Sequence, residues 1–105
     1  MSEYIQMTTT TDSRELAHKI ANTLVEKKLA ACVQVSGPVT SVYEWKEKIE
    51  TTEEWLCVIR TKKGHFPAVE ETIKALHHYD VPEITILPMG GSRDYLDWIN
   101  DVVKE

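Results

Sequence analysis

The spacing of hydrophobic residues changes period several times along this chain, and each change marks a predicted element. Over residues 4–9, Ile5 and Met7 alternate with Tyr4, Gln6 and Thr8, the period of two that a strand requires. Asp12 stands three residues before Glu15, as in a capping box. Leu16, Ala17, Ile20, Ala21, Leu24 and Val25 then recur at helical spacing, which predicts a helix over residues 13–29. Val33 and Val35 open a second strand. Gly37-Pro38 must interrupt or bulge it, because proline cannot donate to a ladder, and residues 39–45 resume it. A polar turn falls within residues 46–53. Residues 55–59 are apolar on both parities, which suits an interior strand covered on both faces. Pro67 fits the first turn of a second helix, whose buried stripe is Phe66, Val69, Ile73 and Leu76. Residues 84–87 supply a fourth strand and Gly90-Gly91 a turn. Ser92 caps a last helix that turns Tyr95, Leu96, Ile99, Val102 and Val103 inward.

The order βαββαβ plus a terminal helix, folded with right-handed crossovers, predicts an α+β, ferredoxin-like domain. Its single antiparallel sheet carries both long helices on one face, with an extra C-terminal helix. At 105 residues the chain is expected to form one domain, residues 1–105, around one core. The second and third strands look too long for it. Strands running from Val39 and to Lys62 around a tight turn reach ~40 Å at ~3.3 Å per residue, against a diameter near ~33 Å for a compact domain of this size. The hairpin should therefore protrude, carrying Val42, Tyr43, Trp45 and Ile49 on open edges. That invites pairing with another copy, so a homo-oligomer is expected.

Charge narrows the partners. Twelve Lys and Arg against 17 Asp and Glu leave a net charge of -5, which provides no footprint for a phosphate backbone, so no nucleic-acid partner is expected. The third strand also lacks the basic-Gly-aromatic pattern that stacks bases. No run approaches the ~20 apolar residues of a membrane span, and Met1 to Tyr4 lack the basic and apolar regions of a leader. A cytoplasmic protein with no membrane partner is expected. The two cysteines, Cys32 and Cys57, are too few for a disulfide scaffold or a four-thiol zinc site. There is no Gly-rich phosphate loop, nucleophile elbow, His-Glu-x-x-His or Cys-x-x-Cys, and the chain reads as a non-enzyme.

The remaining chemistry lies in two short stretches. His77 and His78 close a helix at its negative end, where a protonated histidine is favoured, so a capping role and a metal role both fit them. Cys32, at the entrance to a strand beyond Ala30-Ala31, is either a small buried hydrophobe or a cleft-facing soft donor for copper. Cys57 belongs to the core. A turn centred between Glu47 and Glu50 places Cys57 opposite a residue between Gly37 and Glu44, far from Cys32, which disfavours a disulfide. His18 reads as a solvated face residue and His65 as part of the loop before Pro67. Trp45, Trp55 and Trp98 read as core and interface aromatics.

Ala30-Ala31-Cys32-Val33, Thr40-Ser41-Val42-Tyr43 with Trp45, Glu54-Trp55, Lys62, His77, Tyr79, Val81-Pro82-Glu83-Ile84 and Tyr95-Leu96-Trp98-Ile99 together resemble the CutA divalent-cation tolerance family, over residues 8–99. The resemblance implies a homotrimer of ferredoxin-like subunits whose long hairpins pair between neighbours around a threefold axis. It also implies binding of copper or another divalent cation, a role in metal tolerance, and an architecture shared with trimeric PII signal proteins. The family's copper ligands are a thiol on the first strand and two consecutive imidazoles ending the second long helix. Thr8 and Leu76 stand at the first two of these positions, His77 matches the third, and His78 follows where proline is usual.

Three function classes follow. One is a homotrimeric copper-binding protein of divalent-cation tolerance. The second is a PII-like trimer holding a small ligand in its intersubunit clefts, and the third is an enzyme using those clefts. The site expected on the first reading is His77 as metal ligand, Cys32 as the neighbouring soft donor and His78 as a third.

Overall fold

A computed structural model describes residues 3–103; Met1 and Ser2, read above for a leader, lie outside the described residues. The order is β1 (Tyr4–Thr11), α1 (Arg14–Glu26), β2 (Cys32–Trp45), β3 (Lys48–Lys62), a 3₁₀ turn (Lys63–His65), α2 (Phe66–Leu76), β4 (Thr85–Pro88) and α3 (Arg93–Val103). The four strands form one antiparallel sheet ordered β2-β3-β1-β4, the ferredoxin-like α+β arrangement that the element order predicts.

Alternation divides the sheet into two faces. Ile5, Met7, Cys57 and Ile59 point to one side and bury completely against Ala17, Ile20 and Leu24 of α1 and Val69 and Ile73 of α2. Each large aliphatic side chain so buried contributes ~1.5–3 kcal/mol. Tyr4, Gln6, Thr8 and Thr10 take the opposite parity, with Glu54, Leu56, Val58, Arg60 and Lys62 on β3. The helix α3 lies over the near end of this second face. Ile99 and Val103 bury beside Ala31 and Tyr4, and Lys62 Nζ donates to Asn100 Oδ1 at 2.5 Å.

Local signals set the element ends, and two differ from the expected ones. The N-cap of α1 is Ser13, whose hydroxyl accepts from the Leu16 N–H at 3.1 Å; Asp12 lies outside the cap and bonds to His78 instead. The same helix stops at Glu26 rather than Leu29. Lys28 takes φ 60°, and the Leu29 N–H reaches back to the Leu24 carbonyl while the Lys28 N–H reaches Val25, a Schellman close without glycine.

The hairpin is longer than the core it springs from. β2 has 14 residues and β3 has 15, and the molecule measures 44 × 24 × 22 Å. Its turn is the two residues Lys46-Glu47, both at positive φ (53° and 68°), closed by Trp45 opposite Lys48. This lies before the expected turn centre. A bulge at Gly37-Pro38, joined by a cis peptide, shifts the register between Ser36 and Val39. Together these place Cys57 opposite Val35, outside the expected Gly37–Glu44 window. Cys32 lies three residues from Val35, on the opposite face, and both thiols are free. The hairpin leaves Val42 and Ile49 about two-thirds exposed, with Tyr43 and Trp45 also exposed.

Candidate functional site

The groove begins where β4 stops. β4 pairs with β1 only as far as Thr8, so the outer edge of Thr9 to Thr11 is left to the segment that follows α2. That segment is anchored by His77. The His77 Nε2 lies 2.7 Å from the Thr10 carbonyl, and the Tyr79 N–H lies 3.2 Å from His77 Nδ1. A carbonyl only accepts and a backbone N–H only donates, so these partners dictate an imidazole protonated on Nε2 with its Nδ1 lone pair engaged. With 9% exposure, His77 is a bracket between α2 and β1 in the subunit.

From this bracket Tyr79 reaches the open face of the sheet, where its hydroxyl donates to Glu54 Oε2 at 2.8 Å. Glu54 is only 5% exposed. Burial first, then this hydrogen bond and the charge of Glu54, push the Tyr79 phenol up, so it stays protonated as a donor. Glu83 closes the other wall. Its carboxylate accepts from Thr8 at 3.3 Å and from Thr10 at 3.4 Å, and the Thr8 and Thr85 hydroxyls bond to each other. Between these walls and the base of the hairpin runs a groove of about 610 Å³, bordered on the hairpin side by Ser41, Val42, Tyr43 and Trp45 and on the other by His78, Asp80 and Val81. Tyr43 is held there by a hydroxyl bond to Thr52 at 2.7 Å.

The three expected ligands occupy different settings. His78 borders the groove and pairs through Nε2 with Asp12 at 2.9 Å, and its ring lies 5.7 Å from that of His77. Cys32 opens β2 opposite Arg60, which is in register with Gln6 on β1. Thr10, where His77 docks, is four residues further along and two strands across, so strand spacings put Cys32 on the order of 16 Å from His77. The structure thus brings His77 and His78 together and leaves Cys32 apart within a subunit. Among the described residues no group of three or more His, Cys, Asp and Glu side chains is placed to hold a metal ion. Cys57 donates to the Ala17 carbonyl at 3.6 Å, and burial pushes its thiol up to about 11.

Sequence reasoning named Tyr79, Glu54 and Glu83 as motif residues without placing them in the site, and passed over Thr10. Glu54 and Glu83 are 29 positions apart, and no local spacing joins them. The single legible signal was Glu54 itself, a carboxylate bordering an apolar run, whose burial must be answered by a partner.

A ferredoxin-like domain with a projecting hairpin and an acidic, aromatic groove at its base is the class of protein these features define. A profile of the family described as CutA1 divalent ion tolerance protein matches residues 5–102. The Divalent-cation tolerance protein CutA of Thermus thermophilus is 44% identical over 93 residues, covering 88% of this chain and 90% of its own. The human Protein CutA is 40% identical over 90% of this chain, which spans 54% of that relative's length. The crystal structure of CutA1 from Shewanella sp. SIB1 superposes with a TM-score of 0.95 at 37% identity, covering 99% of this chain and 98% of that one. The CutA structure from Xylella fastidiosa gives 0.94 at 35% identity, covering 98% and 100%. The chain belongs to the CutA1 divalent ion tolerance family. None of these names carries an enzymatic activity, and no helix among the described residues is long and apolar enough to cross a membrane.

Proposed function

We propose that this protein serves divalent-cation tolerance as a homotrimer that binds copper or another divalent cation at the groove. The observation that carries the reading is a set of donors lining the groove, His78, Asp80, Glu54 and Glu83, with the His77 ring 5.7 Å from that of His78, beside an exposed apolar hairpin and, among the described residues, incomplete as a metal site in one copy. Burying Val42, Tyr43, Trp45 and Ile49 against neighbouring copies removes the exposed apolar surface and the open strand edges together. The CutA relatives carry divalent-cation tolerance in their names, which supports the same role here.

Geometry gives each expected ligand a route. His78 holds Asp12 through Nε2, and among the described residues its Nδ1 takes no hydrogen bond. His77 joins a cation through Nδ1 by releasing the 3.2 Å bond from the Tyr79 N–H, the longer of its two. Cys32 enters only from a neighbouring copy. Copper suits an imidazole and thiol set better than the oxygen-preferring cations do.

Titration calorimetry with copper and zinc, alongside sedimentation equilibrium, tests both halves. Copper affinity is expected to fall about tenfold or more in His77→Ala and His78→Ala with the trimer unchanged. Coincident isotherms for the wild type and both variants would remove the site, and a stable monomer at micromolar concentration would remove the trimer. Heat from nucleotides instead of metals would favour a small-ligand signalling protein.

A further inference from the structure

The buried hydrophobic residues fall into two clusters, and α3 belongs wholly to the smaller one. The main core lies between the sheet, α1 and α2, around Ile5, Met7, Leu24, Ile59 and Ile73. The second cluster holds Ile99 and Val103 of α3 against Ala31, bordered by Tyr4 and Met89, and it shares no residue with the first. A helix that fully buries two aliphatic side chains outside the main core is held by few contacts. Segments of that kind open locally, at free energies below that of global unfolding.

The attachments of α3 are uneven along its length. Its C-terminal half is tied to the body at two points: Lys62 Nζ donates to Asn100 Oδ1 at 2.5 Å, and His65 Nε2 lies 2.5 Å from the Val103 carbonyl. Its N-terminal end follows Gly90-Gly91. The space around Gly90 is open, and Ser92 bonds to Tyr95 and Leu96 of its own helix. Two adjacent glycines absorb backbone rotation between β4 and α3 without a side-chain clash, which makes them a hinge.

Docked, α3 covers the entrance of β2. Ala31 is 7% exposed beneath it. The next residue, Cys32, is half-buried on the second face of the sheet, opposite Arg60. Cys57 is fully buried in the main core. The two thiols therefore report on different parts of the molecule.

We propose that α3 is a latch that undocks about Gly90-Gly91 while the main core stays folded, and that its docking controls access to the Cys32 thiol. The latch does not rest on the cation reading, which gives the uncovered thiol one use.

The test is hydrogen exchange and N-ethylmaleimide labelling of the full metal-free chain, read by peptide mass spectrometry, on the wild type, Ile99→Ala and Asn100→Ala. In the wild type, amides of residues 96–103 are expected to exchange about tenfold faster, or more, than those of β1 and β3, with Cys32 labelled and Cys57 protected. Asn100→Ala removes one charged hydrogen bond, so it should raise both α3 exchange and Cys32 labelling about tenfold with Cys57 unchanged. Ile99→Ala should act more strongly. Where it also opens the main core, Cys57 labels as well, and Asn100→Ala decides. Exchange of α3 in step with β1 and β3 would overturn the latch. Equal Cys32 labelling in the wild type and Asn100→Ala would overturn its control of the thiol.

Discussion

Tyr79→Phe removes one oxygen and asks how the floor of the groove is held. The phenol donates to Glu54 at 2.8 Å, and Glu54 is 5% exposed with no other hydrogen-bond donor among the described side chains. Hydrogen bonds to charged groups contribute ~1.5–3 kcal/mol, and a buried acceptor that loses its donor forfeits a comparable amount. Tyr79 is itself half-buried, so water recovers part of the loss, which places the expected destabilisation near ~1.5 kcal/mol. The assay is urea unfolding followed by circular dichroism at one fixed protein concentration, because association contributes to apparent stability. Glu54→Gln supplies the control. A neutral acceptor forms a bond about half as strong, so Tyr79→Phe in that background should cost roughly half as much. A change below ~0.5 kcal/mol in the wild-type background, or equal costs in the two backgrounds, refutes the account.

Three further outcomes are expected. A Cβ on Gly37 would lie 2.6 Å from Trp55 Cδ1 at a φ of +153°, so Gly37→Ala should destabilise by ~2 kcal/mol or more in the same assay, and an unchanged urea midpoint would contradict that contact. The buried Cys57 thiol keeps its proton up to about pH 11 when folded, whereas it loses it from 9.0 when unfolded. Its contribution is therefore fully present below pH 9 and is lost as pH rises towards 11, by up to ~2.7 kcal/mol, so Cys57→Ala should reduce the fall in stability between pH 8 and pH 11 in urea midpoints by about that amount, leaving the part due to Tyr79. On the trimeric reading, Trp45→Ala should weaken subunit association by ~2 kcal/mol, and an unaltered sedimentation profile would place Trp45 outside the interface.

The fold was legible in the chain because its signals are local. Alternation of Ile5 and Met7, the helical stripes of α1 and α2, Pro67 at the start of α2 and the two-sided run around Cys57 each report the burial of one element, and burial faces leave few ways to stack βαββαβ. The same holds for the bulge, since a Gly-Pro pair cannot continue a ladder. Where two local signals competed, the sequence was ambiguous: Asp12 and Ser13 can each cap α1, and only the reach of Asp12 to His78 leaves the cap to Ser13. Lys28 and Lys46-Glu47 take positive φ without Gly or Asn, so turn chemistry gave no warning of where α1 ends or the hairpin reverses.

What the amino-acid order determined by itself is therefore the set of elements, their order and the faces they bury, together with the nearness of His77 to His78, which follows from their being neighbours. The tertiary structure decided everything that depends on register across strands. One bulge and a turn at Lys46-Glu47 set Cys57 against Val35. The halt of β4 at Thr8 opened an edge for His77. Thr10 of β1, Glu54 of β3, and Tyr79 and Glu83 of the connection between α2 and β4 met there from three separate segments. Register is the sum of many weak pairings and a few residues of slack at each turn. A shift of one residue moves side chains to the other face of the sheet, so a site assembled across strands has no signature at any one position of the chain.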